Sequence, residues 1–393
     1  MTKWAVKRKR GPAMNNASGR IALGRPQVWG PPTAVVLLFG LYLTFRRFYF
    51  GLGNVTALTD YQPWGLWVGF DVLCGVALAA GGFVLTGIVH LLNFERYKSV
   101  VRPTVLTAFL GYILVSVGLL YDLGKPWNIW HPLIMWNPRS VMFEVAWCVM
   151  LYSTVLAFEF SPIVLEKFGM DRALRLVRAF TLPLVIAGIL LSTLHQSSLG
   201  TVFLIVPNKL HPLWYTNLLP LHFFLSAVSV GFAMVILESF VSSKLFNRSL
   251  ETHIVADLGQ FMVVALMLVL IVRLQDLAHK VTWAQVFDGS IESWFFLAEM
   301  SCFSLPLVLI FLFRNRMKKM ILVSAAALTM LAVVLNRLNV SIVGMARSGG
   351  FSYFPAWEEV SISLFLVLMG FAVFLAATRY LPIFPPEQGR KGH

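Results

Sequence analysis

The chain has 393 residues, 58% of them hydrophobic, with a mean hydropathy of +0.75. Charged residues make up 13%, about half the roughly 25% of a soluble domain, which excludes soluble multi-domain architectures and identifies a membrane protein. The net charge of +14 falls in segments between apolar runs, the pattern of membrane orientation and not of a nucleic-acid groove, so no nucleic-acid partner is expected.

Residues 1–32 form a basic tail opening MTKWAVKRKRGP. No apolar core follows it at once, so a cleavable leader is not expected. A membrane-spanning helix needs about 20 mostly apolar residues. Ten such runs follow, near 33–50, 66–93, 104–122, 140–160, 179–198, 213–240, 253–277, 291–313, 320–337 and 359–380. Arg46 and Arg47 interrupt the first near its far end, where long side chains would snorkel to the interface. Residues 381–393 form a second tail. The expectation is an all-α polytopic membrane bundle of ten helices over residues 33–380, with both termini on one side.

Of the 32 Lys and Arg, 23 fall on the side of the termini and 9 on the other. The positive-inside rule makes the terminal side cytoplasmic. The expected location is a bacterial cytoplasmic (inner) membrane. Loops on the opposite side are rich in aromatic residues and proline (YQPWGLW, KPWNIWHPLIMWNP, VPNKLHPLWY). They read as an interfacial aromatic belt or as a docking surface for a partner outside the cytoplasm. Cys74, Cys148 and Cys302 lie inside apolar runs and form no CxxC pair, so no iron–sulfur or zinc site is built from them.

Ionisable residues inside a bilayer cost roughly 2.5–3.5 kcal/mol or more and are functional candidates by default. Depth follows from the 1.5 Å rise per residue. Asp71 lies about 7 Å inside the opposite-side end of the second span. Asp122 ends the third span, and Tyr112 lies near its middle. Arg139 stands at the rim of the fourth, with Glu144 about a turn and a half deeper. His195 lies in TLHQSSLG, which closes the fifth, and His222 lies two to three turns into the sixth. Asp71, Asp122, Glu144, His195 and His222 thus share one depth and predict a polar pocket among spans 2 to 6. Glu238, His90, Asp257 and Glu299 form a second set, expected to carry protons between that pocket and the cytoplasm. Each of these residues can also serve only to tie two helices together.

Carboxyl, imidazole and phenol groups in an apolar pocket suit a quinone. Its carbonyls accept hydrogen bonds, its tail is lipid-soluble, and its reduction takes two electrons and two protons from tuned donors. His195 and Glu144 are the expected proton partners. Bis-histidine haem ligation by His90, His195 and His222 meets poor geometry, because His90 lies at the other membrane level. No metal site is expected.

The segments FGLGNV, PWGLWVGFDVLCG, YDLGKPWN, SVMFEVAWC, LHQSSLG, HPLW and FPAWEE, in this order across ten spans, resemble the NrfD/polysulfide-reductase membrane-subunit family, and within it the HybB-type subunits of nickel–iron hydrogenases. The resemblance runs nearly end to end. It implies a quinone-reactive subunit of a hydrogen:quinone oxidoreductase without haem or iron–sulfur cluster of its own. It implies docking to a periplasmic ferredoxin-like iron–sulfur subunit, which relays electrons from the large and small hydrogenase subunits to menaquinone. Polar residues that the family uses in quinone chemistry and proton transfer match Tyr112, Glu144, His195 and Glu238. Loop 123–139 departs from the pattern in its Trp and Pro content. One alternative keeps the fold and changes the partner, to a polysulfide, nitrite or multihaem cytochrome system. Another is a secondary transporter, which would favour broken helices in inverted repeats.

Overall fold

The computed structural model describes residues 30–60, 62–279, 283–313, 319–346 and 353–384. The tails beyond these bounds, with most of their basic residues, and the cluster around Arg314 lie outside the described residues. Among the described residues, ten helices are long and apolar enough to cross a membrane: Pro31–Phe50, Trp67–His90, Glu95–Asp122, Val141–Phe168, Thr181–Ile205, Leu219–Leu245, Thr252–His279, Ile291–Leu312, Lys319–Met345 and Trp357–Tyr380. They are called spans 1 to 10. The face where span 1 begins and span 10 ends is the terminal face.

Local chemistry sets the ends. Pro31 opens span 1, where its missing N–H costs nothing. Ser140 and Ser290 cap spans 4 and 8 by accepting from Phe143 N and Ser293 N. Gly169 stops span 4 in the left-handed region at φ 65°, which a residue without Cβ adopts freely. An amphipathic helix, Asp171–Ala179, then runs along the terminal face to span 5.

Spans 2 to 5 pack on one another as one four-helix group, and spans 6 to 9 as a second. The groups meet where span 6 packs on spans 2 and 5 and where span 9 packs on span 2. At the crossing of spans 2 and 6, a Cβ on Gly231 would lie 3.1 Å from Ala80 C and 3.2 Å from Gly81 N. Small residues there let two backbones touch, which substitutes for a hydrophobic drive between helices in lipid. Spans 1 and 10 pair beside spans 2 and 3.

The structure departs from the sequence expectation in three places. Span 4 runs on to Phe168 and span 9 reaches Met345, so Glu159 and Arg337 become interior residues, not end residues. Span 2 is no continuous α-helix: Trp67–Cys74 is wound as a π-helix, and a turn at Ala79–Ala80 separates Gly75–Leu78 from Gly81–His90. Arg47 does not snorkel. It is 1% exposed and donates from Nε to Tyr121 O (2.6 Å) and from Nη2 to Leu123 O (2.5 Å), satisfying carbonyls left open at the end of span 3.

Candidate functional site

Span 5 is polar on one face because STLHQSSLG places Ser192, His195, Gln196 and Ser198 inward, all buried. The His195 ring is fully buried, 5.8 Å from the Tyr112 ring of span 3. Tyr112 meets Tyr152 of span 4 edge-on at 4.6 Å. Ser192 stands beside both phenols. Yet neither nitrogen of His195, nor Tyr112 Oη, Tyr152 Oη or Ser192 Oγ, has a hydrogen bond of proper geometry. Gln196 Nε2 donates to Val76 O of span 2 at 3.0 Å, while its Oε1 is unsatisfied. Buried polar groups are nearly always paired, so six such atoms in one cluster make it the candidate place for a polar guest. One turn nearer the opposite face, Ser198 Oγ donates to Glu144 Oε1 at 2.6 Å. Glu144 is only partly buried, which makes it the approachable end of the cluster.

The structure distributes the five residues expected in one pocket over three groups. Glu144 and His195 belong to the cluster just described. Asp71 and Asp122 belong to a second, shared by spans 1, 2, 3 and 10. Ser363 Oγ donates to Asp71 Oδ2 at 2.6 Å, and the Asp71 side chain packs over Gly118. Asp122 lies in the field of Arg47 and Glu359. Glu359 accepts from Ala57 N (2.8 Å), Ala356 N (3.1 Å) and Tyr353 Oη.

His222 belongs to the third group, among spans 6, 7, 8 and 9, where its Nε2 is 4.0 Å from Asp276 Oδ2 of span 7. Asp276 also accepts from Thr216 at 2.6 Å. Glu299 is the hub of this group, accepting from Trp214 Nε1 (2.9 Å), Asn336 Nδ2 (2.8 Å) and Asn339 Nδ2 (2.8 Å), with Arg273 Nη2 at 3.7 Å. Arg337, fully buried, donates to Asn336 Oδ1 and Phe223 O and lies over the Phe223 ring at 3.6 Å. Sequence gives depth along a helix but not rotation about its axis, and rotation separates the three groups.

The expected proton-path residues also separate. Glu238 accepts from Thr107 Oγ1 at 2.9 Å, linking spans 6 and 3. Asp257 is tied to Arg96 (3.2 Å) and Tyr97 (3.2 Å) at the terminal face. Glu299 sits in the third group, on the far side from Asp257. His90 Nδ1 lies 3.1 Å from Thr86 O and borders a cavity near the terminal face. Arg139 is exposed in the turn before span 4, not in a pocket, and has no hydrogen bond or ion pair among the described residues. Tyr152, Ser192, Glu159, Arg337 and Glu359 were missed as site residues. A lone glutamate in LAFEFSP was the available signal, masked by ending span 4 at residue 160.

The Polysulphide reductase, NrfD family model matches residues 54–348. A protein of Nitratidesulfovibrio vulgaris is 39% identical over 89% of this chain and 93% of its own length. The probable Ni/Fe-hydrogenase 2 b-type cytochrome subunit of Escherichia coli is 33% identical over 94% of each chain. The integral membrane subunit of a menaquinone reductase of N. vulgaris is 30% identical, again over 94% of each. The Escherichia coli name refers to a b-type cytochrome. Here His195 faces Tyr112, His222 lies beside Asp276 and His90 bonds to Thr86 near the other face. These three histidines thus stand in separate surroundings. With ten spans, a family match over most of its length and relatives that are membrane subunits of redox complexes, the chain is a polytopic membrane protein belonging to the NrfD family.

Proposed function

We propose that this chain is the quinone-reactive membrane subunit of a respiratory hydrogenase complex, passing electrons between periplasmic iron–sulfur subunits and menaquinone with proton transfer. The carrying observation is the buried set of unsatisfied polar atoms at His195, Tyr112, Ser192 and Gln196, one turn from the Glu144–Ser198 pair. The relative named as a menaquinone reductase subunit supports the substrate, and the hydrogenase-2 relative supports the partner.

A quinone accepts two electrons and two protons. Its head would approach between spans 4 and 5 from the opposite face, where Glu144 is reachable. Glu144, its carboxyl oriented by the Ser198 hydroxyl, is one proton partner of the quinone. His195 presents ring nitrogens to a carbonyl oxygen, and Tyr112 and Gln196 complete the hydrogen bonds. Asp71, Asp122 and Arg47 shape the neighbouring wall, His222 stands behind span 5, and Arg139 faces the partner. Electrons arrive from the docked ferredoxin-like subunit. Exposed Trp127, Trp130 and Trp136, beside the short helix His131–Ile134, support docking on that face. The terminal face is then cytoplasmic, and Glu238 and His90 lie toward it.

The test is hydrogen-driven reduction of a menaquinone analogue by the purified complex. His195→Ala and Glu144→Gln are expected to abolish it while the complex still assembles. Normal turnover in both variants would overturn the site. A second reading keeps the quinone site and changes the electron donor, as the menaquinone reductase relative suggests. Quinone reduction from another donor, without hydrogen oxidation, would favour it.

A further inference from the structure

The extension of span 4 to Phe168 leaves Glu159 nine residues, about 13 Å, from the terminal-face end of that helix. Among the described residues it has no hydrogen bond or ion pair. Such an isolated carboxyl in a span carries the full cost of a buried charge unless water reaches it. Its side chain borders a cavity of about 530 Å³ between spans 2, 3, 4 and 5. Most of its wall is apolar, and its polar groups are Thr86, His90, Glu159, Thr181 and the charges at its mouth, so water entering it is held along that polar line. Lys98, Arg102, Glu166 and Arg178 line it toward the terminal face. Glu166 accepts from Arg102 at 2.9 Å and from Arg178 at 2.6 Å. Glu166 ties both arginines, and Arg178 is 58% exposed, so the mouth is wet and, with Lys98 beside it, carries a net positive charge.

On its inner side Glu159 meets the phenol cluster. A Cβ on Gly188 would lie 3.5 Å from Glu159 Oε1 and 3.6 Å from Tyr152 Cε2. Gly188 therefore leaves room in which the carboxyl and the Tyr152 ring come together. From Tyr152 the polar groups continue through Ser192 and Tyr112 to His195. Glu238, by contrast, bonds to Thr107 on another face of span 3 and does not border this cavity.

We propose that the cavity is a water-filled proton inlet from the terminal face, and that Glu159 passes protons from its water to the Tyr152–Ser192–Tyr112–His195 series. This rests on the quinone reading of the His195 cluster. The balance is simple: a proton leaves cavity water for the Glu159 carboxylate. It moves on through the hydroxyls by exchange and ends on a quinone oxygen, whose electrons come from the iron–sulfur partner. Two protons are taken up per quinone reduced, one through this series and one at Glu144.

The experiment has two arms in the intact complex in vesicles of known sidedness. In the first, Glu159→Cys and the lipid-facing control Leu190→Cys, which is 64% exposed in span 5, meet a permanently charged, membrane-impermeant thiol reagent. Labelling is read at each residue by peptide mass spectrometry. The expected result is labelling of residue 159 from the terminal face at least tenfold faster than residue 190. Equal rates overturn the inlet, whatever the fate of the quinone reading. In the second, Glu159→Gln is expected to slow quinone reduction at least tenfold with a raised solvent deuterium isotope effect, and Glu159→Asp to restore part of the rate. A wild-type rate and isotope effect in Glu159→Gln overturn the proton role even if the cavity labels. A wild-type complex that reduces no quinone sinks the quinone reading alone, and labelling still judges the inlet.

Discussion

Glu299 illustrates how the structure separates holding a bundle together from moving protons. Its carboxylate accepts three hydrogen bonds at 2.8–2.9 Å, from span 9 twice and from Trp214 ahead of span 6, and faces Arg273 of span 7 at 3.7 Å. Both charges are nearly fully buried, at 1% and 4% exposure. Three neutral interhelical hydrogen bonds would contribute about 2 kcal/mol, at the ~0.6 kcal/mol average found in membranes. Removing one partner of a buried charge pair costs about 3–5 kcal/mol, because the other charge is stranded. The charge effect is the larger, so Glu299→Ala is expected to destabilise the chain by about 3–5 kcal/mol. Adding Arg273→Met removes the stranded cation and is expected to return part of that loss, leaving about 2 kcal/mol. The assay is heat-induced loss of the monodisperse complex in detergent, compared across wild type, the two single variants and the double. Glu299→Ala as stable as wild type would refute the reasoning, as would a double variant less stable than Glu299→Ala.

Two further outcomes follow from other contacts. Tyr353, in the segment before span 10, is held above the ordinary tyrosine pKa by burial and by its hydrogen bond to Glu359. A raised folded-state value means its stabilisation is complete below about pH 10 and is lost as pH rises past that. Alkaline unfolding of the complex is therefore expected to flatten in Tyr353→Phe, at some loss of stability at neutral pH; an unchanged alkaline limb counts against the contact. At Gly200, one turn beyond Gln196, an added Cβ would lie 2.7 Å from Pro220 Cα and 2.8 Å from Leu219 O. Both are backbone atoms and cannot swing aside, so Gly200→Ala is expected to destabilise by roughly 1–3 kcal/mol in the same thermal assay; no loss would refute the close approach of spans 5 and 6.

Span number and order were legible because lipid imposes a length and a hydropathy on every crossing. His195 was legible for the same reason: a histidine in an apolar run needs a cause. What stayed hidden was rotation. Asp71, Glu144 and His222 share a depth, but each helix turns its residue toward a different neighbour, and those neighbours, Ser363, Ser198 and Asp276, lie in distant parts of the sequence. Span ends were the other blind spot. Hydropathy fades where Glu159 and Arg337 occur, although both helices continue past them, and the polar residue that ends an apolar run looks like an interfacial one. Arg47 misled similarly, since snorkelling and capping span 3 demand the same side chain at the same height.

The π-wound stretch Trp67–Cys74 gives span 2 a slack that its neighbours lack. Hydrogen bonds of the π type reach back five residues, not four, so the stretch holds surplus chain for the height it covers. Its inward neighbour is fixed: Gly81 presses on Gly231 and Val76 holds Gln196. A related sequence one residue shorter between Trp67 and Cys74 could rewind the stretch as plain α-helix and keep every contact inward of Gly75. Its cost would fall on the contacts of the stretch itself, Asp71 with Ser363 and Trp67 with Glu359 O. Changes of chain length in this span are thus absorbed at the opposite face, while the floor beneath His195 stays in register.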